Sequence, residues 1–335
     1  RCPLTTIPLS LPAGKFLMAG KKIIITAGAG FIGANLTEVL LNDARVERVR
    51  VIDDLSNGYY SNIEEFESHP KFDFIKADIC DYQVMLEATE GFDIISHQAA
   101  LGSVPRSIKD PMRSTQVNID GTVNMMFAAV QNGIKRIILA CSSSTYGDSA
   151  ELPKKEERIG KPLSPYAVTK YAVELYADVF QRAYGLDFIG LRYFNVFGPK
   201  QSPDNPYAAV IPLFCSAFLK GESPVIFGDG QTSRDFTYVD NAVQANLLSM
   251  FTERTEAINQ IYNVACGEQT TLNEMVEALK EISGKSIAAK YAAEREGDVR
   301  HSKADISKIG TQLGYKPEVF FKEGLRRVYE WNGRR

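Results

Sequence analysis

Tyr166 and Lys170 lie four residues apart in a stretch, 166–184, whose pattern predicts a helix. An i,i+4 pair shares one helix face. A free phenol titrates near about 10 and is a poor base at neutral pH. A lysine ammonium held against it is expected to favour the phenolate and lower that value. The pair could then take a proton from an alcohol as a general base. Tyr-x-x-x-Lys also recurs by chance on solvated helix faces, so its meaning rests on its surroundings. Upstream, Ser142, Ser143 and Ser144 follow an apolar run, with Ser142 24 residues before Tyr166. No His/Asp partner accompanies these serines. They read as orienting groups and proton relays rather than nucleophiles.

The elements that must position these residues alternate. Residues 22–27 are β-branched and apolar and predict a buried parallel strand. Gly28-Ala29-Gly30-Phe31-Ile32-Gly33 follows, then an amphipathic helix to about residue 41. Between strand and helix, this glycine spacing reads as a dinucleotide fingerprint. Gly28 permits a tight turn, Gly30 lets backbone approach a pyrophosphate and Gly33 permits close helix–strand packing. The helix N-terminus then faces the phosphates. A second strand, 46–52, ends at Asp53-Asp54, where an acid would accept from the adenosine ribose. Two carboxylates there repel a 2′-phosphate and favour NAD over NADP. Strands at 72–76, 92–97 and 137–142 and helices at 82–89 and 113–132 continue the pattern. The sequence therefore predicts an α/β fold, a doubly wound, Rossmann-like parallel sheet. Ligands bind such sheets at the carboxyl ends of the strands. Past residue 191 the pattern loosens, with helices at 207–220, 239–252 and 272–283 and short strands at 225–227 and 261–264. A smaller, interleaved C-terminal substrate domain is expected. The division is 1–20 as a leader or loose extension, 21–190 as the NAD-binding part, and 191–335 as mainly the substrate part. Arginines in the later loops suggest an anionic second ligand, since guanidinium matches phosphate geometry.

Bulk properties narrow the classes. Across 335 residues the hydrophobic fraction is 44% and the charged fraction 24%, as in soluble globular proteins. A net charge of −3 gives no footprint for nucleic acid. No apolar run is long enough to span a bilayer. Pro3, Pro8 and Pro12 interrupt the apolar stretch a signal peptide would need. The five cysteines are scattered without a Cys-x-x-Cys, and Cys80, Cys141 and Cys215 read as buried thiols of a reducing, cytoplasmic compartment. The three histidines are too dispersed to suggest a metal site.

In combination, the motifs identify a family. Gly-Ala-Gly-Phe-Ile-Gly (28–33), Asp-Asp-Leu-Ser-Asn-Gly (53–58), Ala-Asp-Ile (77–79), His-Gln-Ala-Ala (97–100), Asn118, Ser-Ser-Ser-Thr-Tyr-Gly (142–147), Tyr166/Lys170, Leu-Arg-Tyr-Phe-Asn-Val-Phe-Gly (191–198) and Ser-Arg-Asp-Phe (233–236) span nearly the whole chain. The chain resembles the extended short-chain dehydrogenase/reductases, specifically the nucleotide-sugar 4-epimerases. Residues 99–108, 160–171, 207–212 and 296–302 are most similar to bacterial UDP-N-acetylglucosamine 4-epimerases. One departure is Ala27, where the family often has glycine; alanine is small, so little change is expected.

The resemblance implies C4 epimerisation of a UDP-sugar through a transient 4-keto sugar and tightly held NAD. Ser142, Tyr166 and Lys170 would be catalytic. The cofactor would be held by Gly28, Gly30, Phe31, Ile32, Gly33, Asp53, Asp54, Asn57, Gly58, Asp78, Ile79, Gln98, Ala99, Ala100, Asn118, Tyr166, Lys170 and Phe194. Asn195, Arg234 and Arg295 would hold the diphosphate, with Arg300 nearby, and Ala209, Val210 and Phe227 the uridine. Gly102, Ser103, Ser142, Ser143 and Ser144 would line the sugar pocket. Ser302 stands where a bulky tyrosine restricts relatives to simple hexoses, so N-acetylhexosamine substrates are expected. A homodimer through helices 113–132 and 166–184 is implied, with neither nucleic acid nor membrane as partner. A 4,6-dehydratase would need an acid and a base beside Ser142, where residues 143–144 are Ser-Ser. A UDP-glucuronate 4-epimerase is the alternative, kept open by the Ser/Arg-rich loop 102–107, with UDP-glucose another substrate. A non-catalytic NAD-bound protein would be expected to lose one of Ser142, Tyr166 and Lys170.

Overall fold

Strand β1 (Lys21–Thr26) forms where the sequence offers Ile23, Ile24 and Ile25 in succession, all fully buried. Successive strand side chains face opposite ways. Ile23 and Ile25 therefore enter one apolar core and Ile24 the other. Each such burial contributes roughly 1.5–3 kcal/mol, which is why a central strand can be aliphatic on both faces. The computed structural model describes residues 20–202, 209–294 and 300–334.

The chain continues through helix α1 (Phe31–Leu41), β2 (Val46–Asp53), β3 (Phe72–Lys76), α2 (Tyr82–Ala88), β4 (Ile94–His97), α3 (Val104–Lys109), α4 (Pro111–Thr115), α5 (Gly121–Gln131), β5 (Arg136–Ser142), α6 (Pro165–Tyr184) and β6 (Asp187–Tyr193). The later part holds β7 (Val196–Phe197), α7 (Val210–Lys220), β8 (Val225–Phe227), β9 (Ser233–Arg234), β10 (Thr237–Tyr238), α8 (Val239–Phe251), β11 (Gln260–Val264), β12 (Thr270–Thr271), α9 (Leu272–Ser283), β13 (Lys290–Ala292), α10 (Ser307–Leu313) and α11 (Phe321–Gly333). Seven parallel strands make one sheet in the order β11-β6-β5-β4-β1-β2-β3. The strand order reverses between β1 and β4, so the switch point of the doubly wound sheet lies there. β11 returns late in the chain to extend the sheet beside β6. The small strand pairs β7–β10, β9–β12 and β8–β13 stand apart from it.

Three expectations are corrected. The helix foreseen over 113–132 is α4, a π-helical turn at Gln116–Asp120, and then α5. The wide turn seats Asn118, whose Oδ1 accepts from Leu101 N at 2.7 Å and whose Nδ2 donates to Thr169 Oγ1 at 3.0 Å. Such turns recur at functional sites. Ala27 is not neutral. Its φ of 51° lies in the left-handed region, so the tight turn is made by a residue with a Cβ; this costs on the order of 1–2 kcal/mol relative to glycine. Cys80 is partly exposed rather than buried, whereas Cys141, Cys215 and Cys266 are buried; all four are free thiols.

Candidate active site

Helix α6 delivers both Tyr166 and Lys170. Ser164 caps its N-terminus, accepting from Ala167 N at 3.1 Å, and Pro165 takes the first turn, where a missing N–H costs nothing. Ser107 Oγ accepts from Tyr166 N at 3.0 Å, and Thr169 Oγ1 donates to the Tyr166 carbonyl at 2.8 Å. Tyr166 is therefore held on both sides of its backbone. Ser142 ends β5. Its Oγ accepts from Ser144 N at 3.1 Å and from Ser144 Oγ at 2.9 Å. A hydroxyl has one proton to give, and two accepted bonds leave that of Ser142 free to be donated. The Ser142 side chain lowers the Tyr166 phenol and so favours its anion. Lys170 Nζ donates to Ala140 O at 2.8 Å.

The electrostatics differ from expectation. Burial pushes the Tyr166 phenol above its ordinary value, and the Ser142 hydrogen bond only partly offsets this. Burial also pushes Lys170 down to about 8. Desolvation penalises both charged forms. Desolvation dominates the Tyr166 shift, Lys170 does not figure among its causes, and the lowered phenol pKa expected of the pair does not arise.

One cavity of about 1490 Å³ lies over the carboxyl ends of the strands. Single-ligand pockets run up to roughly 1,000 Å³, so this one has space for two ligands. Its wall includes Ser142, Tyr166 and Lys170. From the cofactor set it includes Gly30, Phe31, Ile32, Gly33, Asp53, Asp54, Asn57, Gly58, Asp78, Ile79, Gln98, Ala99 and Ala100. From the substrate set it includes Gly102, Ser103, Ser143, Ser144, Asn195, Ala209, Val210, Phe227, Arg234 and Ser302.

Gly28, Asn118 and Phe194 do not line it. A Cβ on Gly28 would fall 2.6 Å from Val51 Cγ1, so this glycine serves strand packing while Ala27 makes the turn. Asn118 sits behind the wall, joining the loop after β4 to α6. Phe194 is fully buried, 5.9 Å from the Tyr146 ring between centroids. Arg295 lies outside the described residues. Arg300 pairs with Asp229 at 2.7 Å and is not on the wall. The wall also holds Tyr193, from the 191–198 motif but given no role, and Lys154, Gln201 and Thr232, which no motif singles out; Gln201 Oε1 is a buried acceptor without a hydrogen-bond partner among the described residues. Their signal is position alone, near the ends of strands or loops that face the sheet's carboxyl edge.

The glycine loop fits a dinucleotide. A Cβ on Gly33 would lie 2.3 Å from Ala27 O, so α1 starts hard against the end of β1. No side chain caps that helix and its first turn carries no acid, which leaves its N–H groups to an anion. Asp53 Oδ2 accepts from Ala29 N at 3.0 Å and Oδ1 from Leu55 N at 2.8 Å, tying the acid to the glycine loop; burial raises its pKa. On the far wall, Arg234 donates to Ser233 O at 3.0 Å, and Asn195 Nδ2 to Asp235 O at 3.0 Å. Asp235 is fully buried and accepts from Cys266 N, Gly267 N and Ala304 N. It thereby anchors both the Arg234 loop and the segment bearing Ser302. Among the described residues no His/Cys/Asp/Glu group could hold a metal ion, and no helix is long and apolar enough to cross a membrane.

A doubly wound sheet with a glycine loop at its switch point, and a Ser142–Tyr166–Lys170 group over the same cavity, define the short-chain dehydrogenase/reductase class. Residues 24–328 match the family described as GDP-mannose 4,6 dehydratase, and the chain belongs to that family. The UDP-N-acetylglucosamine 4-epimerase of Methanobrevibacter ruminantium M1, solved with UDP-N-acetylmuramic acid, is 41% identical over 94% of this chain and 99% of its own, with a TM-score of 0.88. The UDP-glucose 4-epimerase of Thermus thermophilus, solved with NAD, is 33% identical over 93% and 99%, with a TM-score of 0.83. The UDP-glucose 4-epimerase of Mycolicibacterium smegmatis is 35% identical over 92% of this chain and 98% of its own.

Proposed function

We propose that this protein interconverts UDP-N-acetylglucosamine and UDP-N-acetylgalactosamine by epimerisation at C4. The coarse activity is that of an NAD-dependent UDP-sugar 4-epimerase, an isomerase. The observation that carries the reading is the convergence of Tyr166, Ser142 and Lys170 with the glycine loop on one cavity large enough for both ligands.

The cofactor is NAD, held by the glycine loop, Asp53, the loop through Gly58 and the loop beginning at Gln98. When bound, it supplies reversible hydride acceptance at the sugar C4, and its positive ring favours the Tyr166 phenolate. Tyr166 takes the proton of the sugar 4-hydroxyl, and Ser142 bridges the phenol and the 4-oxygen. Lys170 adds positive charge below the phenol. The 4-keto sugar turns in the pocket, and Tyr166 returns the proton once the other face of C4 is presented. Arg234 and Asn195 stand at the diphosphate, and Ala209, Val210 and Phe227 at the uridine. The part up to about residue 190 carries the dinucleotide, and the later segments carry the UDP-sugar.

Dehydration is disfavoured by charge placement. Among the described residues the carboxylates on the wall are Asp53, at the end of β2, and Asp54 and Asp78, on the loops after β2 and β3; Ser143 and Ser144 follow Ser142. Recognition of UDP-glucuronate is disfavoured because residues 104–107, expected as a loop, belong to helix α3, and Arg106, the cation among 102–107, is directed to Asn57 Oδ1 at 2.7 Å.

Ser302 supports the N-acetylated substrate. It is small, half-buried and on the cavity wall. Ser302→Tyr should lower kcat/KM for UDP-N-acetylglucosamine relative to UDP-glucose by about 10- to 100-fold, since overpacking and lost fit are worth that much. Steady-state kinetics on both sugars test this; an unchanged ratio would remove Ser302 from specificity.

We assign the active form as a homodimer. Val168, Leu175 and Val179 expose an apolar stripe along α6, with Tyr176 and Tyr184 beside it. Cys141, Cys215 and Cys266, free and buried, suit the reducing cytoplasm.

A further inference from the structure

The loops after β4 and β2 flank the glycine loop, because β1 lies between β4 and β2 in the sheet. Arg106 sits on α3, which follows β4, and Asn57 sits in the loop that follows β2. Arg106 Nη1 donates to Asn57 Oδ1 at 2.7 Å, and both residues line the cavity. This hydrogen bond therefore crosses the glycine loop from one neighbouring loop to the other.

The two ends are anchored differently. Helix α3 is fixed at its base: Ser107, fully buried, accepts from Tyr166 N at 3.0 Å and donates to Val104 O at 2.8 Å. Ser103 Oγ accepts from Arg106 N at 3.2 Å and closes its first turn. Asn57 is exposed, and apart from Arg106 its side chain hydrogen-bonds, among the described residues, only to its neighbour in sequence, Nδ2 donating to Ser56 Oγ at 3.4 Å. Separating the two loops at this point breaks the Arg106–Asn57 contact while the base of α3 stays attached to α6.

The contact also sets chemistry. An amide offers an acceptor oxygen and a donor nitrogen. A guanidinium donating to Oδ1 fixes the amide sense and leaves Nδ2 to donate to phosphate or ribose oxygens. The same guanidinium places a positive charge beside the phosphate end of the cavity.

We propose that Arg106 and Asn57 form a clasp over the bound dinucleotide, with Arg106 the positioning residue for the Asn57 amide. The clasp sets how slowly the cofactor leaves. The inference rests on NAD being the resident cofactor and not on the identity of the sugar. It also links retention to the catalytic helix, because α3 is bolted to the backbone of Tyr166.

The test measures release of NAD from the loaded protein by a chase with excess labelled NAD, for the wild type, Arg106→Met, Asn57→Ala and the double variant. Thermal unfolding of the nucleotide-free proteins is read alongside. Arg106→Met should release NAD about tenfold faster, the scale of one charge-assisted hydrogen bond. The double variant should be no faster than the faster single, since both remove one contact. The unfolding temperature of nucleotide-free Arg106→Met should match the wild type, which a merely structural role would not give. Wild-type release from Arg106→Met, or effects that multiply in the double variant, would overturn the clasp. A wild type that binds no NAD would overturn the cofactor reading, and the clasp with it.

Discussion

Tyr166→Phe should lower turnover by about 10³-fold or more while UDP binding and NAD content stay as in the wild type. The range for one proton-transfer group is roughly 10²–10⁴, and three observations place this one in its upper half. The Ser142 side chain favours the phenolate, and Ser142 itself is held by two donors from Ser144. A Cβ added at Gly102 would come 4.0 Å from the phenol oxygen, so the wall beside it is bare backbone and a sugar hydroxyl can reach it. Phenylalanine keeps the ring and its burial, and the backbone bonds to Ser107 and Thr169 do not involve the hydroxyl. The loss should therefore fall on kcat rather than on binding. Rapid-quench turnover beside calorimetric UDP titration separates the two, and a variant retaining full turnover would remove Tyr166 from the chemistry.

The largest effect on stability is expected about two helical turns further along α6. Glu174 pairs with Arg192 of β6 through two hydrogen bonds of 2.7 and 2.8 Å, both side chains being almost wholly buried. Burial opposes the Arg192 charge, and the Glu174 carboxylate more than restores it, so the guanidinium is held above its ordinary pKa. Arg192 also donates to Glu156 O at 2.9 Å. Glu174→Ala leaves a buried cation without its counter-charge, a change that costs about 3–5 kcal/mol. The unfolding temperature should drop sharply, and turnover should fall because the pair fixes the helix carrying Tyr166 and Lys170 to the sheet. Replacing both partners, as Glu174→Leu with Arg192→Met, should recover most of the loss, since an apolar pair can occupy a buried ionic site at little cost. A single variant as stable as the wild type would show that the pair contributes nothing.

Most of the sheet was legible because β1 to β5 are short runs rich in apolar residues, and the structure places them within a residue or two of expectation. β6 is harder to read. Asp187, Gly190 and Arg192 interrupt its apolar pattern, and Arg192 belongs there only because Glu174 meets it from another element. The π turn at Asn118 was illegible for a similar reason: a helix widened by one residue keeps an ordinary helical composition, and the cause is Asn118 bonding to Leu101 and Thr169. Site residues were legible where a motif ties residue type to strand end, as at Gly30, Asp53, Ser142 and Tyr166. Gly28 and Phe194 were placed in the cofactor wall by the same motifs and instead pack behind it, against Val51 and Tyr146. Burial is a property of the assembled fold, and so is the direction of the Tyr166 shift. A lysine four residues away predicts a lowered phenol, and only the closed core beneath α6 shows that desolvation wins.

The most direct measurement incubates the protein with UDP-N-acetylglucosamine, without added NAD, and identifies the product by NMR. Formation of UDP-N-acetylgalactosamine is the expected result, and it would establish C4 epimerisation on a resident cofactor. No conversion of that sugar, with UDP-glucose or UDP-glucuronate turned over in parallel, would contradict the substrate assignment and keep the fold and the Tyr166 chemistry. No conversion of any of the three, even with NAD supplied, would contradict the account at its centre.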